Sequence, residues 1–173
     1  RGGQSLNSSI GEILQFAKKN KIKLIASNAP RRYANLVSRK GLEALWKLPD
    51  ESKKFLPPIN SITDHIQKEY EDKISKTFQT MSHHGEIRNF LHAQLLWDAS
   101  MAYSILREFK TNEKKIIHIV GRFHSDEGYG ITNQLRKMGL RISTISMFPK
   151  GKNFDLEKNL GLADIIYLTV EQK

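Results

Sequence analysis

The densest group of reactive side chains in the sequence is the segment GRFHSDEGYG at residues 121–130. It follows a β-branched apolar run and brings Arg122, His124 and Tyr129 close together in sequence. A tyrosine phenolate is a hard anionic donor and a known axial ligand of haem iron. A cation such as Arg122 favours the phenolate, and His124 could hydrogen-bond the phenol or bind the metal. The same residues also fit an ordinary turn with a surface tyrosine, so the pattern leaves both interpretations open.

A second candidate is the segment SNAPRRY at residues 27–33, which follows another apolar run. It places Arg31 and Arg32 at the predicted start of a helix, next to Tyr33. Helix N-termini attract anions, and arginine pairs with carboxylates and phosphates. The two arginines therefore suit haem propionates or phosphates, although a solvated arginine pair explains them as well.

Other polar residues have simpler interpretations. His83 and His84 are adjacent, and adjacent residues of a helix point about 100° apart, so a single metal would not take both. Gln94 and Asp98 share a helix face with apolar neighbours, which predicts a buried hydrogen-bond network that reaches a strand-end loop. The remaining histidines are predicted to be solvated or packing residues: His65, His92 and His118.

The composition limits the classes of function. The chain has 173 residues and no cysteine, which excludes disulfides, thiolate metal sites and cysteine nucleophiles. Its formal charge of +10 suits anionic partners. The lysines are scattered and lack an aromatic stacking pattern, so we do not expect a nucleic-acid partner. No P-loop, H-E-x-x-H, G-x-S-x-G or G-x-G-x-x-G signature occurs.

The elements that must position these residues alternate between strands and helices. Apolar periodicity predicts helices over 8–20, 31–41, 61–82, 86–109 and 131–138, and a short helix after residue 41. It predicts strands over 22–30, 116–120, 140–147 and 164–170. Ser9 and Glu12 have the spacing of a capping box at the first helix.

This alternation predicts a single α/β domain over residues 1–173. We expect a mostly parallel, doubly wound sheet, with a helical cap formed by an insertion at about residues 42–112. Ligands of such sheets bind beyond the carboxyl ends of the strands, so the segments 27–33 and 121–130 are expected to frame one site.

Three segments, taken in order, resemble the ChaN-like haem-binding lipoproteins of bacterial iron uptake. They are LIASNAPRRYANLVSRKGLEAL, AQLLWDASMAYSI and IIHIVGRFHSDEGYGI. The resemblance implies a non-enzymatic protein that binds haem for transport or storage, with haem iron held by tyrosine and two haems face to face in a homodimer. It places the iron ligand at Tyr129 with support from His124, and it leaves Tyr33 as the alternative ligand.

The resemblance also implies a cell-envelope lipoprotein, anchored to the outer membrane and served by an outer-membrane haem receptor. The signal peptide and lipid-anchoring cysteine of the relatives do not occur in this sequence, so we expect a processed or trimmed chain. Relatives begin with a strand that carries Gly-Glu-x-His; it is not found here, and part of the sheet is expected to be missing. The alternative function is a metal-assisted hydrolase of the same superfamily shape, acting through His124, Asp126 and Glu127.

Overall fold

The computed structural model describes residues 3–64, 66–79, 84–112, 115–151 and 154–170. The helices are α1 (Gly3–Lys19), α2 (Arg31–Lys40), α3 (Asp50–Lys53), α4 (Lys68–Gln79), α5 (His84–Asn112), α6 (Gly130–Lys137) and α7 (Leu156–Asn159). The strands are β1 (Ile145–Pro149) and β2 (Ile165–Thr169). Short 3-10 turns occupy Leu42–Leu45, Ile59–Ser61, Arg122–His124 and Asp126–Gly128.

Most of the predicted helices are confirmed, and local chemistry explains their ends. α2 buries Tyr33 and Val37 on its apolar face. It ends at Gly41, whose positive φ of 80° terminates the helix while its N–H donates to the Val37 carbonyl at 2.8 Å. α5 is the longest helix, as its periodicity predicts.

Two predicted helix starts are wrong. α1 begins at Gly3, so Ser9 lies inside the helix and cannot be its N-cap. α4 begins at Lys68 rather than at residue 61, because Pro58 opens a separate 3-10 turn at Ile59–Ser61.

The sheet consists of β1 and β2, which pair in parallel from Ile145↔Ile165 to Pro149↔Thr169. These strands match the predictions over 140–147 and 164–170, and they make the fold a mixed α/β one. The predicted strands over 22–30 and 116–120 are not formed. Residues 22–27 and 115–120 have no backbone ladder within the described residues, because no strand lies beside them to supply partners.

The core is divided into two clusters, and α5 contributes to both. The first cluster joins α2, α4 and the first half of α5; its fully buried members include Val37, Leu45, Ile62, Ile74 and Leu96. The second joins the later half of α5 to α6 and contains Met101, Ala102, Ile105, Ile131 and Leu135. Between residues 42 and 112 the helical elements of the described residues are α-helices and 3-10 turns, and no strand is formed among them.

Candidate functional site

A buried aspartate on α5 is the centre of the candidate site. Asp98 is fully buried, and its carboxylate accepts hydrogen bonds from the Tyr70 hydroxyl at 2.7 Å and from His124 Nδ1 at 2.6 Å. Burial raises the pKa of Asp98, although the bonds from His124 and Tyr70 oppose that shift. Burial also raises the pKa of Tyr70, so its hydroxyl remains protonated and continues to donate.

This contact orients the ring of His124. An ionised carboxylate can only accept, so His124 donates from Nδ1 to Asp98. The amide of Gln94 lies 2.9 Å from the same Nδ1 atom. The network that the shared face of Gln94 and Asp98 predicts is therefore present, and it reaches the 121–130 loop through His124.

A glycine allows the loop to pass this close to the network. Gly130 has a φ of 50°, and a Cβ atom there would lie 2.5 Å from the backbone oxygen of His124 and 3.1 Å from the Tyr70 hydroxyl. Only glycine fits both the angle and the space. Gly130 therefore sets the position of Tyr129 at the start of α6.

Tyr129 is half-buried, and its ring packs against Tyr70 with the ring centroids 5.7 Å apart. Lys73 Nζ lies 5.6 Å from the centroid of the Tyr129 ring and 2.8 Å from the Glu127 carboxylate. The phenol oxygen of Tyr129 has no hydrogen-bond partner within the part of the chain that the structure describes. Burial raises the pKa of Tyr129, with added contributions from Glu127 and Glu69, so the free phenol is protonated at neutral pH.

An open pocket of about 470 Å³ lies beside the Lys73–Glu127 pair. Its lining is charged and mixed in sign: Glu69, Asp72, Lys73, Lys76, Thr77 and Glu127. Lys73 and Lys76 together place two positive charges at this surface. The pocket therefore offers charged contacts at its rim, and the apolar contacts nearby come from the rings of Phe123 and Tyr129.

Arg122 does not lie where the sequence analysis expects it. Its guanidinium carbon lies 3.9 Å from the centroid of the Phe148 ring, and Nη1 lies 3.7 Å from the Asp126 carboxylate. Asp126 is itself buried and accepts a short hydrogen bond from Ser146 on β1. Among the described residues, the cation that lies over the Tyr129 ring is Lys73, while Arg122 contacts Phe148 of β1.

The other predicted site residues lie on α2. Arg31 and Arg32 are both exposed at the first turn, as expected. Arg32 lies over the Tyr33 ring at 4.5 Å and donates to the Tyr33 hydroxyl at 3.0 Å. Tyr33 is buried in the first core cluster, and bonds from Ser52 and then Arg32 lower its pKa against the effect of burial. Its phenol oxygen is therefore already occupied, unlike that of Tyr129.

The remaining histidines do not add to the site. His65, His83 and the side chain of His84 lie outside the described residues. His118 is partly buried, and its Nε2 lies 3.0 Å from the Ser27 hydroxyl. Burial lowers the pKa of both His118 and His92.

The residues of the hydrolase alternative do not converge. His124 is bonded to Asp98, Asp126 to Ser146, and Glu127 to Lys73. Among the described residues there is no group of three or more histidine, aspartate or glutamate side chains placed to hold a metal ion. The arrangement therefore gives the hydrolase interpretation no support. No helix in the described part of the chain is long and apolar enough to cross a membrane.

Comparison with known families defines the class of protein to which this site belongs. The model of a family described as "Haem-binding uptake, Tiki superfamily, ChaN" matches residues 8–135, well over half of the chain. The match spans α2, α5 and the loop that carries His124 and Tyr129. The chain belongs to this haem-binding uptake family, and haem is the ligand of the family. Neither the curated proteins nor the solved structures gave a match.

Sequence reasoning missed two residues of the site. Lys73 and Tyr70 appear only as members of a charged amphipathic helix, where lysine is ordinarily solvated and tyrosine ordinarily packs. Their spacing of three residues places both on one face of α4, which is the signal that could have linked them. Only the packing of α4 against α5 shows that this face meets Asp98 and Tyr129.

Proposed function

We propose that this protein binds haem for bacterial iron uptake and that Tyr129 provides the phenolate that holds the haem iron. The protein performs no chemistry on the haem, which is cargo. We propose that it works as a homodimer with two haems face to face, lipid-anchored to the outer membrane and supplied by a haem receptor there. The family match supports haem as the ligand, and the geometry around Tyr129 supports the choice of residue.

The choice of Tyr129 as the iron ligand rests on how the three tyrosines near the two candidate loops differ in hydrogen bonding and burial. Tyr70 donates to Asp98, and Tyr33 accepts from Arg32, so both phenol oxygens are occupied and buried. Tyr129 is half-buried, and its phenol oxygen has no hydrogen-bond partner among the described residues. An oxygen that accepts one hydrogen bond can still bind iron, but the metal must be able to reach it. Of these three tyrosines, Tyr129 is the one that is not buried in the core.

The surroundings of Tyr129 fit a haem in their chemistry. Phe123 and Tyr129 provide aromatic faces of the kind that packs against a flat apolar macrocycle. Lys73 and Lys76 are the cations at the neighbouring pocket and could pair with propionates. Haem iron, when bound, supplies the positive charge that stabilises the phenolate, offsetting the burial and acidic neighbours that raise its pKa.

The Asp98 network would hold the loop ready for the ligand. The hydrogen bond from Nδ1 to Asp98 holds His124 in place, and it therefore restrains the loop between His124 and Tyr129. A site whose supporting residues are locked by buried hydrogen bonds loses less entropy when the ligand binds. His124 is therefore proposed to support Tyr129 by positioning the loop.

The size and polarity of the ligand support the proposed dimer. A haem bound at an open surface leaves one macrocycle face against water, and pairing two such faces removes both from water. Haem affinity should then rise with protein concentration.

Haemin titration tests the proposal. Absorbance should show saturable haemin binding, and sedimentation at saturation should show a dimer that is absent without haemin. A chain that saturates with haemin and stays monomeric rejects the paired haems, and a chain that leaves haemin free rejects the function.

A further inference from the structure

A single ammonium group, that of Lys73, contacts the aromatic rings of the candidate site. Its Nζ atom lies 5.4 Å from the centroid of the Phe123 ring and 5.6 Å from that of the Tyr129 ring, both within cation–π distance. The same atom lies 2.8 Å from the carboxylate of Glu127. These are the rings to which the proposed function assigns the haem macrocycle, so a haem on them would bring its edge to the Lys73–Glu127 ion pair.

Glu127 reaches this position through a backbone conformation that non-glycine residues rarely adopt. Its φ is 64° and its ψ is 11°, in the left-handed region. The other two residues of this loop with positive φ are Gly128 and Gly130, and glycine adopts such angles without penalty. The N–H of Glu127 donates to the Leu162 carbonyl at 2.7 Å, and its carboxylate accepts from Lys73, so these two contacts hold the strained residue. A glutamate at a position that suits glycine indicates that the carboxylate itself has a use.

The Lys73–Glu127 ion pair is open to water and can exchange its carboxylate. The two side chains are 25% and 38% exposed, respectively, and ion pairs of this kind contribute little to stability because water screens the charges. A haem propionate carries the same functional group as glutamate. Replacing Glu127 by a propionate therefore preserves the charge pairing of Lys73, and the released carboxylate is hydrated.

A second lysine gives the same pocket another cation. Lys76 lies three residues from Lys73 on α4, which places both on one face of the helix. Both line the open pocket, and Lys76 has no ion-pair partner within the part of the chain that the structure describes. Asp72 of the pocket already pairs with Lys68 at 3.1 Å. One lysine is thus paired with a carboxylate and the other is available, whereas haem carries two propionates on one edge.

We propose that Glu127 occupies the place of a haem propionate and competes with it for Lys73. When haem binds, one propionate replaces the Glu127 carboxylate on Lys73, and the other pairs with Lys76. The site thereby selects tetrapyrroles with two free carboxylates, and Glu127 limits the strength of that selection. This inference rests on the proposed haem binding, and it assigns recognition of the carboxylates to these three residues.

A general effect of negative charge in the pocket would give a different result. Glu69 also lines the pocket and is exposed, and it makes no ion pair among the described residues. Its carboxylate therefore repels a propionate without occupying a lysine. Replacing Glu69 removes the same charge as replacing Glu127 but does not free Lys73, so the two substitutions separate competition from repulsion.

Titration with an iron-free porphyrin measures the competition without the iron ligand. Fluorescence gives the dissociation constants of protoporphyrin IX and of its dimethyl ester, and the ratio of the ester value to the diacid value is named here the carboxylate selectivity. Glu127→Gln should raise the carboxylate selectivity by about two- to fivefold, which is the contribution of one partly exposed ion pair. Glu69→Gln should raise it by less than about 1.5-fold, because that charge acts only through screening solvent. Equal increases in the two variants, or no increase in Glu127→Gln, overturn the proposal.

A further substitution shows whether Lys73 is the shared partner. Lys73→Met keeps an unbranched side chain against the rings and removes the charge. It should lower the carboxylate selectivity by about two- to fivefold when Glu127 is already glutamine, and by less than about half of that in the native background, where Glu127 occupies the lysine. Lys76→Met should lower the selectivity in both backgrounds. Equal effects of Lys73→Met in the two backgrounds would contradict the exchange.

Haemin separates this inference from the proposed function. Tyr129→Phe should lose the tyrosinate band of bound haemin and keep the carboxylate selectivity of the native chain. Saturable haemin binding, with a selectivity that responds to neither Lys73→Met nor Glu127→Gln, leaves haem binding in place and rejects the exchange. A chain that binds neither haemin nor protoporphyrin rejects both.

Discussion

Replacing Asp98 with alanine should destabilise the protein by about 2–4 kcal/mol. The side chain is fully buried and is the acceptor for both the Tyr70 hydroxyl and His124 Nδ1. Each donor left without a partner costs about 1–3 kcal/mol, which gives about 2–6 kcal/mol in total. Removing a carboxylate whose pKa is raised by burial recovers part of its desolvation cost, so the lower part of that range is expected. Against a total stability of about 5–15 kcal/mol, the loss is easily measured.

Urea unfolding followed by circular dichroism measures this change. The matched control is Ser100→Ala on the same helix, where the lost bond runs only to the Leu96 carbonyl and the expected cost is below about 1 kcal/mol. Tyr70→Phe should cost about 1–2 kcal/mol in the native background and close to nothing when Asp98 is already alanine. An Asp98→Ala midpoint equal to that of the native protein, or additive effects of the two substitutions, would refute the network.

Two further predictions concern the loop. Gly130→Ala should destabilise the protein by at least about 1–3 kcal/mol, because its φ is positive and the new Cβ meets the backbone oxygen of His124. Gly121→Ala, where no atom lies within 4 Å, is the control for a thermal melt, and equal melting points would contradict the account. Glu127→Gln should lower the pKa of Tyr129, since a nearby negative charge that raises it is removed. Ultraviolet titration of the phenol should then move to lower pH and haemin should bind more tightly; an unchanged titration would count against this electrostatic picture.

The sequence predicts the helical part of the fold well because each helix carries its own signals. The apolar face of α2 and the glycine that ends it are local features, and so is the long periodicity of α5. The runs 22–27 and 115–120 are different. A strand forms its backbone hydrogen bonds only with a neighbouring strand, and the sequence pattern of a segment does not show whether such a neighbour is present. Their composition is that of buried strands, yet most of the apolar side chains in them are exposed here.

Within the candidate site, the sequence identifies the groups but not their directions. His124 and Tyr129 are found from the loop, and Asp98 from its helix face, since a buried polar residue needs a partner. The direction of Arg122 is not predictable, because its side chain lies over Phe148, a residue of β1 that is distant in sequence. The position of Lys73 beside Tyr129 depends on the packing of α4 against α5, which joins segments distant in sequence, so the local pattern does not predict it.

Haemin absorbance spectra of three proteins test the central claim most directly. The native chain and Tyr33→Phe should both show a tyrosinate-to-iron charge-transfer band, because Tyr33 is buried in the first core cluster. Tyr129→Phe should lose that band while keeping the native circular dichroism spectrum. A band that survives in Tyr129→Phe, or that disappears in Tyr33→Phe alone, would contradict ligation of the iron by Tyr129.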